Sequence, residues 1–96
     1  MKITITDKHL DIARNLMDKL RLAYARSEEC LVAQALKDNN PGKYVYCGVR
    51  TATVGDDRYR ISRTGQRIIR MFDENKYIKL PITVIFRRIN DNETEL

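Results

Sequence analysis

Lys43-Tyr44-Val45-Tyr46-Cys47-Gly48-Val49-Arg50-Thr51-Ala52-Thr53-Val54-Gly55-Asp56-Asp57-Arg58-Tyr59-Arg60-Ile61-Ser62 is the stretch whose reading decides the fold. Its side chains alternate with a period of two, so the chain is extended here rather than helical. Val45, Cys47 and Val49 share one face, and Tyr44, Tyr46, Gly48 and Arg50 share the other. Thr51 to Val54 prolongs the same strand, with Gly48 as a bulge or bend. Gly55-Asp56-Asp57 is a turn signal, and from Arg58 to Ser62 the alternation returns, Tyr59 and Ile61 opposite Arg58 and Arg60. The spacing therefore predicts a hairpin over residues 43–62.

Helices flank this hairpin. Upstream, Lys2 to Thr6 reads as a short strand with Ile3 and Ile5 on one face. Thr6 and Asp7 are good N-caps, and a helical pattern follows in which Leu10, Ala13, Met17, Leu20 and Tyr24 recur at spacings of three and four. Ser27 offers a second N-cap with Glu28 and Glu29 in the first turn, and Cys30 to Asp38 continues as a short helix. Asn39-Asn40-Pro41-Gly42 ends it. Downstream, Thr64-Gly65 begins a third helix whose Ile68, Ile69 and Phe72 face inward. After Pro81, Ile82 to Ile89 is apolar on both faces, the pattern of a strand interior to a sheet. The predicted fold is α+β, one small domain over residues 1–89 in the order β-α-α-β-β-α-β. It has a sheet of about four strands with helices on one face, and residues 90–96 form an acidic flexible tail.

Ninety-six residues leave room for one core of ordinary size. No apolar run approaches the ~20 residues of a membrane helix. The first residues lack the apolar run of a secretory signal, so the expected location is the host cell cytosol, with no membrane partner. Two cysteines are too few for a disulfide framework, and both are expected as free thiols.

The formal net charge of +5 is unevenly spread. Residues 1–42 are almost balanced, residues 43–89 carry eleven basic against four acidic side chains, and residues 90–96 carry three acidic ones. Clustered like charge repels itself and gains free energy when a polyanion neutralises it, so the asymmetry argues for an anionic partner; a plain solubility surface is the alternative. Tyr44, Tyr46, Arg50, Arg58, Arg60, Arg63, Arg67 and Arg70 are the candidate anion-binding residues. They combine flat π-faces with guanidinium forks that suit phosphate oxygens bidentately. Arg63, Arg67 and Arg70 project along one side of the third helix. Should the face of the sheet opposite the helices be open, Tyr44, Tyr46, Arg58 and Arg60 share it. The same tyrosines would serve equally as a homodimer face.

Catalysis has little material, and no catalytic residue, metal ligand or cofactor is predicted. The single histidine, His9, has no carboxylate or cysteine beside it in sequence and reads as an exposed surface residue. His9, Cys30 and Cys47 show no metal-ligand spacing, and no phosphate-binding glycine motif occurs. Cys30 near a helix N-terminus is the one nucleophile candidate, but Glu28 and Glu29 oppose its ionisation, and a small core residue is the preferred reading. Glu28-Glu29 and Asp56-Asp57 are explained by capping and turn formation.

Three segments carry a resemblance. Thr6-Asp7-Lys8-His9 ends the first strand, Cys30-Leu31-Val32-Ala33-Gln34-Ala35-Leu36-Lys37 forms the second helix, and Ile69-Arg70-Met71-Phe72-Asp73 leads to the strand from Pro81 to Phe86. In these the chain resembles a loose set of small phage and prophage accessory proteins. The resemblance implies a protein that acts by binding, with a counter-defence role among the expectations. The leading expectation is a non-catalytic module that engages nucleic acid or a phosphorylated nucleotide through the basic hairpin and third helix. The alternative is a protein-interaction inhibitor, anti-CRISPR-like, that docks on a host nuclease or other host enzyme and blocks it.

Overall fold

A computed structural model of the chain describes residues 1–20 and 30–89, with the backbone alone for residues 17–20. Its elements are β1 (Lys2–Ile5), α1 (Asp7–Leu20), α2 (Leu31–Asn39), β2 (Val45–Cys47), β3 (Thr51–Val54), β4 (Asp57–Ile61), α3 (Arg63–Asp73) and β5 (Ile82–Arg88). The strands form one sheet in the order β1-β5-β4-β3-β2, with every neighbouring pair antiparallel. The α+β class and the helices on one face are as predicted. The sheet has five strands, not about four. Tyr24, the Ser27 cap and Glu28-Glu29 lie outside the described residues, as does the 90–96 tail.

The extra strand comes from a turn where a bulge was expected. The Gly48 N–H donates to the Thr51 carbonyl at 2.8 Å, reversing the chain so that β3 folds back along β2. A Cβ at Gly48 would sit 3.2 Å from that same oxygen, so the tight turn favours glycine. The reversal lifts Val49 out of the predicted core and leaves it exposed. The next turn, Gly55-Asp56, is the two-residue connection between Val54 and its partner Asp57. Gly55 has φ +60°, the left-handed conformation that such hairpin turns require.

Helix α2 occupies the centre of the molecule. Leu31, Val32, Ala33, Gln34, Ala35 and Leu36 are all buried. The helix lies against α1 and α3 and also against β1 and β2, the two outermost strands. A helix reaches both edges of a five-stranded sheet only if the sheet curls round it, and Ala33 and Ala35 keep the helix slim enough. Its last carbonyls are satisfied by side chains: the Asn39 amide donates to the Ala35 oxygen at 2.8 Å and the Asn40 amide to the Leu36 oxygen at 2.9 Å.

Helix α3 starts one residue earlier than predicted. Ser62 is its N-cap, and the Ser62 hydroxyl accepts from the Gly65 N–H at 3.4 Å. Ile68 and Ile69 are buried against the sheet and α2, with Phe72 and Met71 half-buried beside them. Here the helix backbone approaches β4 and β5 closely. A Cβ at Gly65 would lie 2.5 Å from both Ile61 Cγ2 and Val84 Cγ1, closer than van der Waals contact permits. Gly65→Ala is therefore expected to destabilise the fold by about 1–3 kcal/mol through overpacking. Urea denaturation measures this, and an alanine variant as stable as the parent would contradict the packing of α3.

Candidate anion-binding site

The sheet has one covered and one open face. Ile3, Ile5, Val45, Cys47, Ala52, Val54, Ile61, Val84 and Phe86 turn towards the helices and are buried. The side chains between them turn the other way. β5 is thus not apolar on two covered faces as the sequence suggests: Ile85, on the open face, is 51% exposed. Ile89, grouped with Ile85 by the alternation, is buried just beyond the end of the strand, where its N–H donates to the Arg58 carbonyl at 2.8 Å.

The register sets two rows across the open face. Arg87 on β5 is directly opposite Arg60 on β4, which is directly opposite Thr51 on β3. In the next row Arg58 on β4 faces Thr53 on β3, which faces Tyr46 on β2. Tyr44, two residues before Tyr46, is exposed on the same side, and its carbonyl accepts from the Gly55 N–H. Lys2 and Thr4 extend the face on β1. Among the described strand residues the only acidic one is Asp57, whose position in the alternation assigns it to the helix side. There Asp57 pairs with Arg88 at 3.0 Å, a residue outside the predicted set.

The eight candidate residues do not form one set. Tyr44, Tyr46, Arg58 and Arg60 share the open face, as the alternation implies. Arg67 and Arg70 lie exposed along α3, in the helical layer on the opposite side of the sheet, and Arg50 sits in the β2–β3 turn. Arg63 joins the two groups. It follows Arg60 by three residues at the start of α3. With Arg60, Ser62, Gln66, Ile85 and Arg87 it lines an open groove of about 310 Å³. Among the described residues, no salt bridge engages Arg60 or Arg63. Sequence reasoning missed Arg87, because nothing local shows that β5 pairs with β4. The available signal was its parity: Arg87 alternates with Phe86 and so falls on the face opposite the core.

His9 departs from expectation. It is buried, at 4% exposure, not a surface residue. The Thr6 N–H donates to His9 Nδ1 at 3.1 Å, the contact a capping-box glutamate makes from the same position. Because Nδ1 accepts, the ring proton sits on Nε2, which donates to Asp38 at 3.0 Å. Asp38 lies near the end of α2, twenty-nine positions away, so its proximity could not be read locally. The ring ties the start of α1 to the end of α2. Among the described residues no cluster of His, Cys, Asp and Glu is arranged to hold a metal ion.

The two thiols meet in the core. Cys30 is the N-cap of α2, and the Cys47 thiol on β2 donates to the Gly48 carbonyl at 3.6 Å. The neighbouring Cys47, with the backbone N–H groups of Ala33 and Val32, holds the Cys30 thiol below its ordinary value. The Cys47 thiol is pushed up, by its interaction with Cys30 first and by burial second. At 2% and 3% exposure, neither sulfur is presented to a substrate.

No protein-family model, curated protein or solved structure matches the chain. Among the described residues no helix is long and apolar enough to cross a membrane.

Two predictions test these contacts. The His9 hydrogen bond is the main cause holding the Asp38 carboxyl below the usual carboxylate range. A carboxylate depressed in the folded state contributes stability above its unfolded pKa and loses it as pH falls through the folded value. Asp38→Asn should therefore be less stable than the parent at pH 7, and the gap should close below about pH 4. Stability curves at both pH values measure it; a gap of equal size throughout would mean the charge contributes nothing. Separately, a disulfide reagent should titrate neither thiol in the native protein and both in denaturant.

Proposed function

We propose that the protein is a non-catalytic binding module whose open sheet face takes single-stranded nucleic acid. The reading rests on one observation: the register sets Arg58, Arg60 and Arg87 in adjoining rows, with Tyr46 at the edge of the same surface and no acidic strand residue on it. Guanidinium forks suit the phosphates and the tyrosine rings suit the bases, because every base offers a π-face. From β2 to β5 the face crosses three strand gaps, roughly 14 Å at the usual inter-strand spacing. A few nucleotides of extended strand cover that distance. A double helix has no such access, since its bases are stacked inside and the face presents no helix or ribbon to a groove.

In the phage setting that the sequence resemblance implies, a module of this kind works by masking a strand from host enzymes. The exposed Tyr44, Tyr46 and Ile85 also fit a second reading, docking on a host protein, since a surface that mixes aromatics with arginine is the common composition of a protein interface.

Titration with fluorescent oligothymidylate decides between them. Neutralising three phosphates on a single strand gives a slope of log K against log salt of about −2, so affinity should fall roughly twentyfold between 50 and 200 mM salt. Tyr46→Ala should weaken binding by about fivefold to a hundredfold, the loss of one stacked base. Absence of binding at 50 mM salt, together with recovery of one stoichiometric host protein in a nuclease-treated pull-down, would transfer the face to the second reading.

A further inference from the structure

The sheet ends in two edge strands, β1 and β2, and only the β2 edge is covered. In an antiparallel pair, residues alternate between exchanging backbone hydrogen bonds with the residue opposite and turning those groups away. On β2, Tyr44 accepts from Gly55 and Gly48 donates to Thr51, so by alternation Tyr46 bonds to Thr53. Val45 and Cys47 therefore turn their backbone groups outward, yet both residues are buried. On β1 the arrangement is reversed. Met1 and Phe86 exchange both bonds, so Ile3 and Ile5 bond to Val84 and Ile82, and Lys2 and Thr4 turn their backbone groups away from β5. Ile85, opposite Lys2, has the same phase, because its own backbone bonds to Ser62 on its other side. Lys2 and Thr4 are both exposed. Two N–H and two C=O groups thus line an open edge, and among the described residues no bond engages them. Such an edge is a template for a further strand.

The residues of β1 fit a second copy of the same strand, running antiparallel about a twofold axis. Lys2 opposite its own copy would give two hydrogen bonds and set like charges face to face. Thr4 opposite its own copy would align Lys2 with Thr6, which lies beyond the strand. Lys2 opposite Thr4 gives four hydrogen bonds and opposes no like charges. The same register puts Ile3 against its own copy on the helix side, and it brings Met1, an exposed apolar side chain, against Ile5. We infer that the chain forms a twofold dimer through β1, Lys2 of each copy pairing with Thr4 of the other. Residues directly opposite share a face, so the two open faces join on one side of a continuous sheet. Because the β2 edge is covered, the pairing closes at two copies and does not propagate. The inference holds whatever the open face binds. A net charge of +5 on each copy opposes association, so salt strengthens this dimer, whereas it weakens contacts to phosphate.

Sedimentation velocity over a concentration series reads the association, and amide hydrogen exchange followed by NMR reads the edge. The expected result is a monomer–dimer equilibrium that strengthens severalfold from about 50 to about 500 mM salt. The Lys2 and Thr4 amides should exchange freely in the monomer and be protected in the dimer. Thr4→Pro removes an outward N–H and leaves the bonds between β1 and β5 in place, since an edge strand accepts proline where the N–H faces solvent. It should weaken the dimer by about tenfold or more. Should that variant fail to fold, amide protection in the parent protein decides alone. A protein that stays monomeric across the series overturns the inference and leaves the edge to a strand of another protein. A dimer whose two edge amides exchange as in the monomer, or one that a folded Thr4→Pro does not weaken, also overturns it, because the contact then lies on another surface such as the tyrosine face. Assemblies that grow beyond two copies overturn the closed pairing.

Discussion

Burial of α2 on all sides is the constraint from which the rest of the architecture follows. A helix with six successive buried residues needs partners around its whole circumference, and here α1, α3 and the two outermost strands supply them. The sheet can meet that demand only by curling, which brings β1 and β2 towards one another across the helix. Curling commits the concave face to the core and leaves the convex face to solvent. The exposed arginine and tyrosine rows of the open face are a consequence of that division.

Polar groups on the inner side are tied into the fold. Among the described residues no buried side-chain nitrogen or oxygen lacks a hydrogen-bond partner. His9 fixes the start of α1 and holds it to α2 through Asp38, and the side-chain amides of Asn39 and Asn40 close the end of α2. These bonds tie helix ends and neighbouring helices together, and they leave the buried His9 ring with a partner on each nitrogen. The outer side follows a different logic. Arg60 stands directly opposite Arg87, and the residues beside them are threonines and tyrosines, which suit strands and also present polar or flat surfaces outward. The contrast between a satisfied interior and a convex face rich in one sign of charge is the reason for assigning function to the latter.

Much of this was legible in the chain. Period-three-and-four spacing places α1 and α3, small and apolar residues mark α2, and the β3–β4 turn is spelled out by Gly55-Asp56. One clue went unused: Val45 and Cys47 occupy odd positions of the core face whereas Ala52 and Val54 occupy even ones. A strand with a simple bend keeps its parity, so the switch across residues 48–51 was the mark of a reversal. The surroundings of His9 had no such mark, because a histidine in the first turn of a helix looks the same whether or not a distant aspartate meets it. The groove was half visible. Arg60 and Arg63 are close in sequence, but Arg87, which also lines it, comes from the far end of the chain.

Composition and periodicity, taken alone, determined the α+β class, the inward sets of each helix and strand, and the concentration of positive charge in the second half of the molecule. These are properties of residues and their near neighbours, so they survive without knowledge of pairing. Tertiary structure decided which of those charges stand together. The antiparallel register of β5 with β4 brought Arg87 to Arg60, and the curl of the sheet kept that face uncovered while sending Arg67 and Arg70 to the other side. The physical reason is that hydrogen-bond register between strands remote in sequence depends on the shared filling of one core, which no local stretch encodes.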